Sequence, residues 1–358
     1  MRAFVEDEQL DYEDVLLQPA PYTNIKSRSE VCLTKRYTNI HGAEIARGIP
    51  IMNANMSTVG NFAVAKAMLN DGMFTTIHKH YHPEEIVEFM KTLQEEEAAR
   101  VFITIGLRDK FMTYDKLMGI RTQLIQAGYH PGQVCIDVPN AYMTDVHELI
   151  KLTSTNCPST IVMAGNVCTF EGAQRLCQAG ARVVKVGISP GSACRTRFAT
   201  GVGRPQLSAI IDCVEGVKNY GAKVCADGGI VYPGDVAKAF AAGAEFVMLG
   251  GFYAGTEEAE GPYLHDPATG ERVKIFYGMA SKTAQDLFYG GVADYKTSEG
   301  SLIKVNASGT VHDKNLEIMG GLRSACTYLD AINLEELEAN AVFYKVRRQH
   351  TIAHGGNN

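Results

Sequence analysis

The chain has no tryptophan, and its nine cysteines, at positions 32, 135, 157, 168, 177, 194, 213, 225 and 326, never stand as a Cys-x-x-Cys pair. Zinc sites and disulfide frameworks use paired spacings. The thiols therefore read as reduced and mostly buried, and a cytoplasmic location is expected. No apolar stretch approaches the roughly 20 residues of a membrane span. The first nineteen residues carry six acidic side chains and no apolar core, so they do not read as a signal peptide. Positive charge is in short supply: 34 Lys and Arg against 40 Asp and Glu leave a net charge of −6, with no long basic run. That argues against nucleic acid or a membrane surface as partner. The dinucleotide fingerprint is missing too, because Gly201-Val202-Gly203 lacks its third glycine and does not open a turn directly after a strand.

What the chain does have is periodicity. It is 358 residues long and 46% hydrophobic, enough for one large domain with its own core. Short β-branched runs at 51–55, 74–78, 101–105, 134–138, 160–164, 183–187, 223–226 and 245–249 predict strands. Amphipathic stretches such as 62–69, 83–96, 142–152, 172–179 and 234–242 predict the helices between them. This alternation predicts an α/β fold, a closed parallel (β/α)8 TIM barrel, over a doubly wound sheet. Residues 1–49 form an N-terminal extension with a hairpin-like segment near 31–38. Residues 252–319 separate the last strand from a helix expected near Gly321; they are too long for an ordinary loop and read as an active-site flap. The whole of 1–358 is expected to be one catalytic barrel domain.

Barrel active sites lie at the C-terminal ends of the strands, with phosphate often held after strands 7 and 8. Both positions are glycine-rich here: Asp227-Gly228-Gly229 and Leu249-Gly250-Gly251. Glycine lets backbone N–H groups approach an anion closely. Asp227 could accept from ribose hydroxyls. After strand 6 comes Gly187-Ile188-Ser189-Pro190-Gly191-Ser192-Ala193-Cys194-Arg195-Thr196-Arg197. Cys194 is the one cysteine in a polar loop on the catalytic face, close to two arginines that favour thiolate. His78-Lys79-His80-Tyr81-His82 invites a metal reading, but the later strand ends lack the further histidines and aspartate an amidohydrolase needs. Lys79 suits anion contact or proton transfer better. Glu299 lies in the flap, where a lone glutamate is ordinarily solvated.

Together these segments closely resemble the IMP dehydrogenase and GMP reductase family over nearly the whole chain, from Tyr12-Glu13-Asp14-Val15-Leu16 to Gly320-Gly321-Leu322-Arg323-Ser324-Ala325. The paired CBS modules that dehydrogenases usually insert are missing. Thr200-Gly201-Val202-Gly203-Arg204-Pro205-Gln206-Leu207-Ser208-Ala209 and Glu299 follow the reductase branch. The resemblance implies NADPH-dependent deamination of GMP to IMP through a thioimidate on Cys194, with Thr196 and Glu299 moving protons and Lys79 also catalytic. It implies substrate contacts from Ser192, Asp227, Gly228, Gly229, Gly250, Gly251, Gly278, Met279, Ala280, Lys296, Thr297, Ser298 and Gly300. By the same resemblance NADPH would meet Ser27, Arg28, Lys79, Asp137, Val138, Pro139, Ile188, Ser189, Met279, Tyr295, Lys296, Ser324, Ala325, Cys326 and Thr327, some across a subunit interface of a homotetramer. A potassium ion would sit on carbonyls of Ser189, Gly191 and Cys194, with Arg197 nearby.

The sequence departs from the reductase pattern at Ser189, Ala193, Arg195, Pro139, Ala141, Ala280 and Lys296. Ala280 has no hydroxyl for a base edge and Lys296 no guanidinium fork. These changes raise a different purine nucleotide as an alternative substrate. A CBS-less IMP dehydrogenase, an FMN-binding barrel oxidoreductase and a non-catalytic nucleotide-binding regulator are the other readings.

Overall fold

The computed structural model describes residues 7–39, 42–107, 110–291 and 297–346. Eight parallel strands form one sheet: β1 (Ile51–Asn53), β2 (Thr75–Ile77), β3 (Val101–Ile105), β4 (Gln133–Asp137), β5 (Val162–Val167), β6 (Val183–Val186), β7 (Lys223–Asp227) and β8 (Phe246–Leu249). All eight expected strands are present. The ladder runs β1-β8-β7-β6-β5-β4-β3-β2, and side chains close the seam between β1 and β2. Buried Asn53 accepts from Thr75 Oγ1 at 2.6 Å, donates through Nδ2 to the Thr76 carbonyl at 2.8 Å, and offers its own carbonyl to Thr76 Oγ1 at 2.5 Å. A TIM barrel is the result.

The outer helices are α1 (Phe62–Asn70), α2 (Pro83–Lys91), α3 (Tyr114–Gln126), α4 (Thr144–Asn156), α5 (Phe170–Gln178), α6 (Gln206–Val217), α7 (Pro233–Ala241) and α8 (Val311–Tyr328). Three expectations need correction. The stretch 83–96 is not one helix: α2 ends at Lys91, and a separate turn, Glu95–Ala98, starts where the Glu97 side chain accepts from Gln94 N at 2.9 Å. The helix after the flap begins at Val311, not near Gly321, because Thr310 and Asp313 cap each other there. Gly321 is a packing contact inside that helix, since a Cβ on it would come within 2.9 Å of Pro233 Cβ on α7. The expected flap accordingly ends near Thr310. It holds an antiparallel sheet, Leu264–His265, Arg272–Tyr277 and Leu302–Asn306, and the helix Lys282–Tyr289.

The N-terminal end of the barrel is plugged. A hairpin of Lys35–Thr38 with Glu44–Gly48, later in the chain than the expected 31–38, places Tyr37 on Phe246 and Phe74 at centroid distances of 4.9 and 5.3 Å. Tyr37 Oη donates to Glu245 at 3.0 Å, and Lys35 bridges Glu245 and Glu335. Chemistry is left to the opposite mouth.

Candidate active site

Three glycine-bearing turns meet at that mouth. A Cβ on Gly228 would lie 3.2 Å from Pro190 Cγ and 3.3 Å from Gly191 N, and one on Gly251 would lie 3.0 Å from Ser192 Oγ. The loop after β6 therefore meets the β7 turn backbone to backbone and the β8 turn through the Ser192 side chain. Gly228 and Gly229 also take left-handed φ values of 90° and 81°, which side chains rarely tolerate. The glycines expected to hold phosphate, Gly228, Gly229, Gly250 and Gly251, and the expected substrate contact Ser192 thus lie on adjoining turns that line one cradle.

Beside the cradle stands the thiol. Half-buried Cys194 donates from Sγ to Thr196 Oγ1 at 3.3 Å, and Thr196 Oγ1 donates to Glu299 Oε2 at 2.7 Å. Glu299 arrives from 103 residues along the chain because the flap is zipped to the Cys194 loop. Arg195 N donates to the Glu299 carbonyl at 2.7 Å, Ser301 N to Ala193 O at 2.8 Å, and Cys194 and Gly300 form an antiparallel bridge. Gly278 fits under this seam only without a side chain: its Cβ would lie 2.7 Å from Ala193 O. Met279 takes the Ser57 N–H on its sulfur at 3.4 Å, Ala280 O accepts from Glu299 N, and Ser298 caps Lys282 N. Thr297 is exposed at the edge of the flap. Tyr295 and Lys296 lie outside the described residues.

Below the mouth lies a feature that sequence reasoning missed. Lys185 on β6 is buried, with its side chain 2% exposed, and its Nζ reaches Asp137 Oδ1 at 2.5 Å, Asp227 Oδ2 at 2.9 Å and Asn55 Oδ1 at 3.4 Å. Asn166 Nδ2 also donates to Asp227 Oδ2, at 2.8 Å. Burial alone would push the Asp137 carboxyl up, but the Lys185 ammonium, Lys79 and Asn55 more than offset it and hold it below the usual range. For Lys185 burial acts against the charge, and the two aspartates outweigh it, raising its pKa well above the ordinary value. A lysine in a strand reads as solvated in sequence, so nothing flagged it.

His78, Lys79 and His80 follow β2. The two rings are used in packing: His78 stacks on Tyr81 at 4.2 Å and His80 on Phe288 at 3.9 Å. His78 is held neutral, its pKa lowered to about 3 by burial with His80 adding to the effect. Lys79 lies close enough to Asp137 to favour its charge.

The expected cofactor residues fall into two groups. In the first, Asp137, Val138 and Pro139 lie at and just past the end of β4, Ile188 and Ser189 just past β6 in the Cys194 loop, and Met279 on the flap against Ser57. Ser27 and Arg28 open the turn Arg28–Glu30, which packs on α8, while Ser324, Ala325, buried Cys326 and Thr327 occupy the last turn and a half of that helix. With 18 residues in α8, its two ends are about 27 Å apart. Its start meets the loop after β8 (Val311 N to Glu258), and its end meets the plugged end of the barrel, where Ala20 N donates to Tyr328 O. This second group is therefore remote from the Cys194 of the same chain.

Ser189 is the one non-glycine in the Cys194 loop with a left-handed φ, 73°, and its Oγ accepts from Arg197 N at 2.8 Å. Gly191 O accepts from Cys194 N at 3.0 Å, and a carbonyl has a second lone pair. The carbonyls of this turn are neutral oxygen donors, suited to a hard cation.

A barrel mouth that gathers a thiol, a carboxylate joined to it through Thr196 and a glycine-lined cradle has the makings of an enzyme active site. A family model described as the IMP dehydrogenase / GMP reductase domain matches residues 9–353. The chain belongs to that family and is an oxidoreductase. It is 42% identical to a GMP reductase of Klebsiella pneumoniae subsp. pneumoniae over 344 residues, 96% of each chain. It is 41% identical to GMP reductases of Yersinia enterocolitica serotype O:8 over 349 residues, 98% of each, and of Vibrio cholerae serotype O1 over 348 residues, 97% of each.

Proposed function

We propose that the chain reductively deaminates GMP to IMP and ammonia. The observation that carries this reading is the directed line of hydrogen bonds from Cys194 through Thr196 to Glu299. Each donor points toward the carboxylate. A proton passing along it leaves a thiolate at Cys194 and an acid at Glu299, so the nucleophile is armed and the leaving-group acid loaded together.

The Cys194 thiolate adds to C2 of the purine. The amino group takes a proton from Glu299 by way of Thr196 and leaves as ammonia, and a thioimidate remains on Cys194. A reduced nicotinamide, NADPH by analogy with the relatives, supplies a hydride when bound. With hydrogen at C2, the thiolate leaves and IMP is released. Ser192, Gly228, Gly229, Gly250 and Gly251 would hold the phosphate, Asp227 the ribose, and the flap turns at Gly278, Met279, Ala280, Lys296, Thr297, Ser298 and Gly300 the base. The donor chemistry at Ser189, Gly191 and Cys194 fits potassium, which would brace the loop.

Asp137, Val138, Pro139, Ile188, Ser189, Met279, Tyr295, Lys296 and Lys79 would take the nicotinamide end of NADPH, with Lys79 placed to assist proton movement. Ser27, Arg28 and Ser324, Ala325, Cys326 and Thr327, remote from their own Cys194, would serve the adenosine end in a neighbouring copy. That arrangement supports a homotetramer. Scattered thiols suit a reducing cytoplasm, and among the described residues no helix is long and apolar enough to cross a membrane.

A second reading keeps the chemistry and changes the base. It is favoured by Ala280, whose carbonyl receives Glu299 N–H and whose methyl offers a base edge no hydrogen bond. An NADPH-oxidation screen over GMP, dGMP, XMP and modified purine monophosphates decides between them. Turnover of GMP with release of ammonia supports the first reading. XMP and NADH formed from IMP and NAD would overturn it in favour of a dehydrogenase, and a yellow protein would favour a flavin enzyme.

A further inference from the structure

Lys185 belongs to none of the roles above, yet it lies just below the mouth and grips both Asp137 and Asp227. An ammonium has three donors, and all three have an acceptor: Asp137 from the end of β4, Asp227 from the end of β7 and Asn55 beyond β1. On Asp227, Lys185 and Asn166 both grip Oδ2, and among the described residues Oδ1 takes no hydrogen bond. The grip therefore fixes which oxygen is offered outward. Asp137 and Asp227 share one buried cation, with their side chains only 26% and 19% exposed. A change in the hydrogen bonding of one carboxylate alters how strongly the ammonium attends to the other.

We propose that Lys185 is a positioning residue that couples the sugar site to the cofactor site, aligning Asp227 for the nucleotide and Asp137 for the dinucleotide with a single ammonium. The inference rests on the functional reading above for which ligand each aspartate meets. Without Lys185 the two carboxylates lose the cation they share; Lys79 still favours the charge of Asp137, but more weakly, and each site suffers from the charge of the other. A residue that only filled space would disturb both sites without making one aspartate's charge felt at the other.

The test is a double-mutant cycle on the full chain. Lys185→Met should raise KM for GMP and for NADPH by tenfold or more each, with a smaller fall in kcat. Asp137→Asn alone should raise KM for NADPH only. Added to Lys185→Met, it should lower KM for GMP again by severalfold, because it removes the negative charge beside Asp227. A rise confined to one KM, or no recovery in the double variant, overturns the proposal. A parallel cycle in thermal stability uses no nucleotide, and the double variant should melt above Lys185→Met alone; additive losses overturn the coupling there too. If Lys185→Met does not fold, the cycle is run with Lys185→Gln. Wild-type protein inactive on GMP would sink the functional reading while leaving the stability cycle to judge Lys185.

Discussion

Thr196 Oγ1 stands 2.7 Å from Glu299 Oε2, although 103 residues separate them in the chain. The contact joins the loop that carries the thiol to the flap that carries the acid, and the thiol itself is 3.3 Å behind. On the proposed mechanism, deamination would need all three groups and hydride transfer none of the proton relay.

Cys194→Ala should abolish turnover while leaving nucleotide binding largely intact, since the cradle glycines stand on the turns after β7 and β8 and the Cys194 loop keeps its backbone. Calorimetric titration with IMP beside an NADPH-oxidation assay checks this. Appreciable turnover by the variant would remove the covalent route.

Glu299→Gln should slow the deamination half-reaction by about 10²–10⁴-fold, the usual contribution of a positioned acid–base group. The hydride step, entered in reverse from IMP and NADP, should lose far less. Rapid-quench measurement of both half-reactions separates the two. Equal losses would mean that Glu299 only orders the flap.

Gly278→Ala should cost activity more than stability. Its added methyl meets Ala193 O at 2.7 Å, so the neighbour that must give way is the residue before Cys194. We expect kcat to fall by an order of magnitude or more, with the melting temperature little changed. A loss of folding with kcat preserved in the surviving fraction would contradict this.

Asn53→Ala should destabilise the barrel by about 3 kcal/mol, because it strands the Thr75 hydroxyl and the Thr76 carbonyl in the core, each unmet group costing about 1–3 kcal/mol. Denaturant titration measures the loss. A change under 1 kcal/mol would show that the seam is held by the strands alone.

His78 gives the stability a pH dependence. Its folded pKa is about 3 against the ordinary 6.5. Between those values the unfolded chain takes a proton that the folded chain refuses. Its contribution is therefore fully present above pH 6.5 and is lost as pH falls toward 3, by up to about 1.4 kcal/mol per pH unit. His78→Asn keeps an acceptor for the His80 N–H without a titrating ring, and should flatten the stability profile across that window. An unchanged profile would assign the acid sensitivity to other groups.

The strands were legible because their valines and isoleucines are buried on both sides of the sheet, leaving continuous apolar runs with little competing pattern. The glycine turns after β7 and β8 and the Cys194 loop stood out because loops at strand ends carry few residues for packing reasons. Gly321 was misread as standing near a helix start because a glycine that admits a neighbouring helix looks the same in sequence as one that borders its own. Lys185 was invisible for a related reason. Its charge is satisfied by Asp137 and Asp227, which are 48 and 42 residues away, and no local pattern records a partner so distant. Glu299 was placed only through the family resemblance, since a lone loop glutamate gives no other signal.

The zipper between Gly300 and Cys194 has a mechanical consequence. Because Arg195 N–H is tied to the Glu299 carbonyl and Ser301 N–H to Ala193 O, the flap cannot swing away with its acid while the thiol loop stays put and closed. Opening must unlatch the backbone first, so nucleophile and acid disengage in one movement. A half-open state would retain neither, and the proposed thioimidate would stay shielded for as long as the latch held.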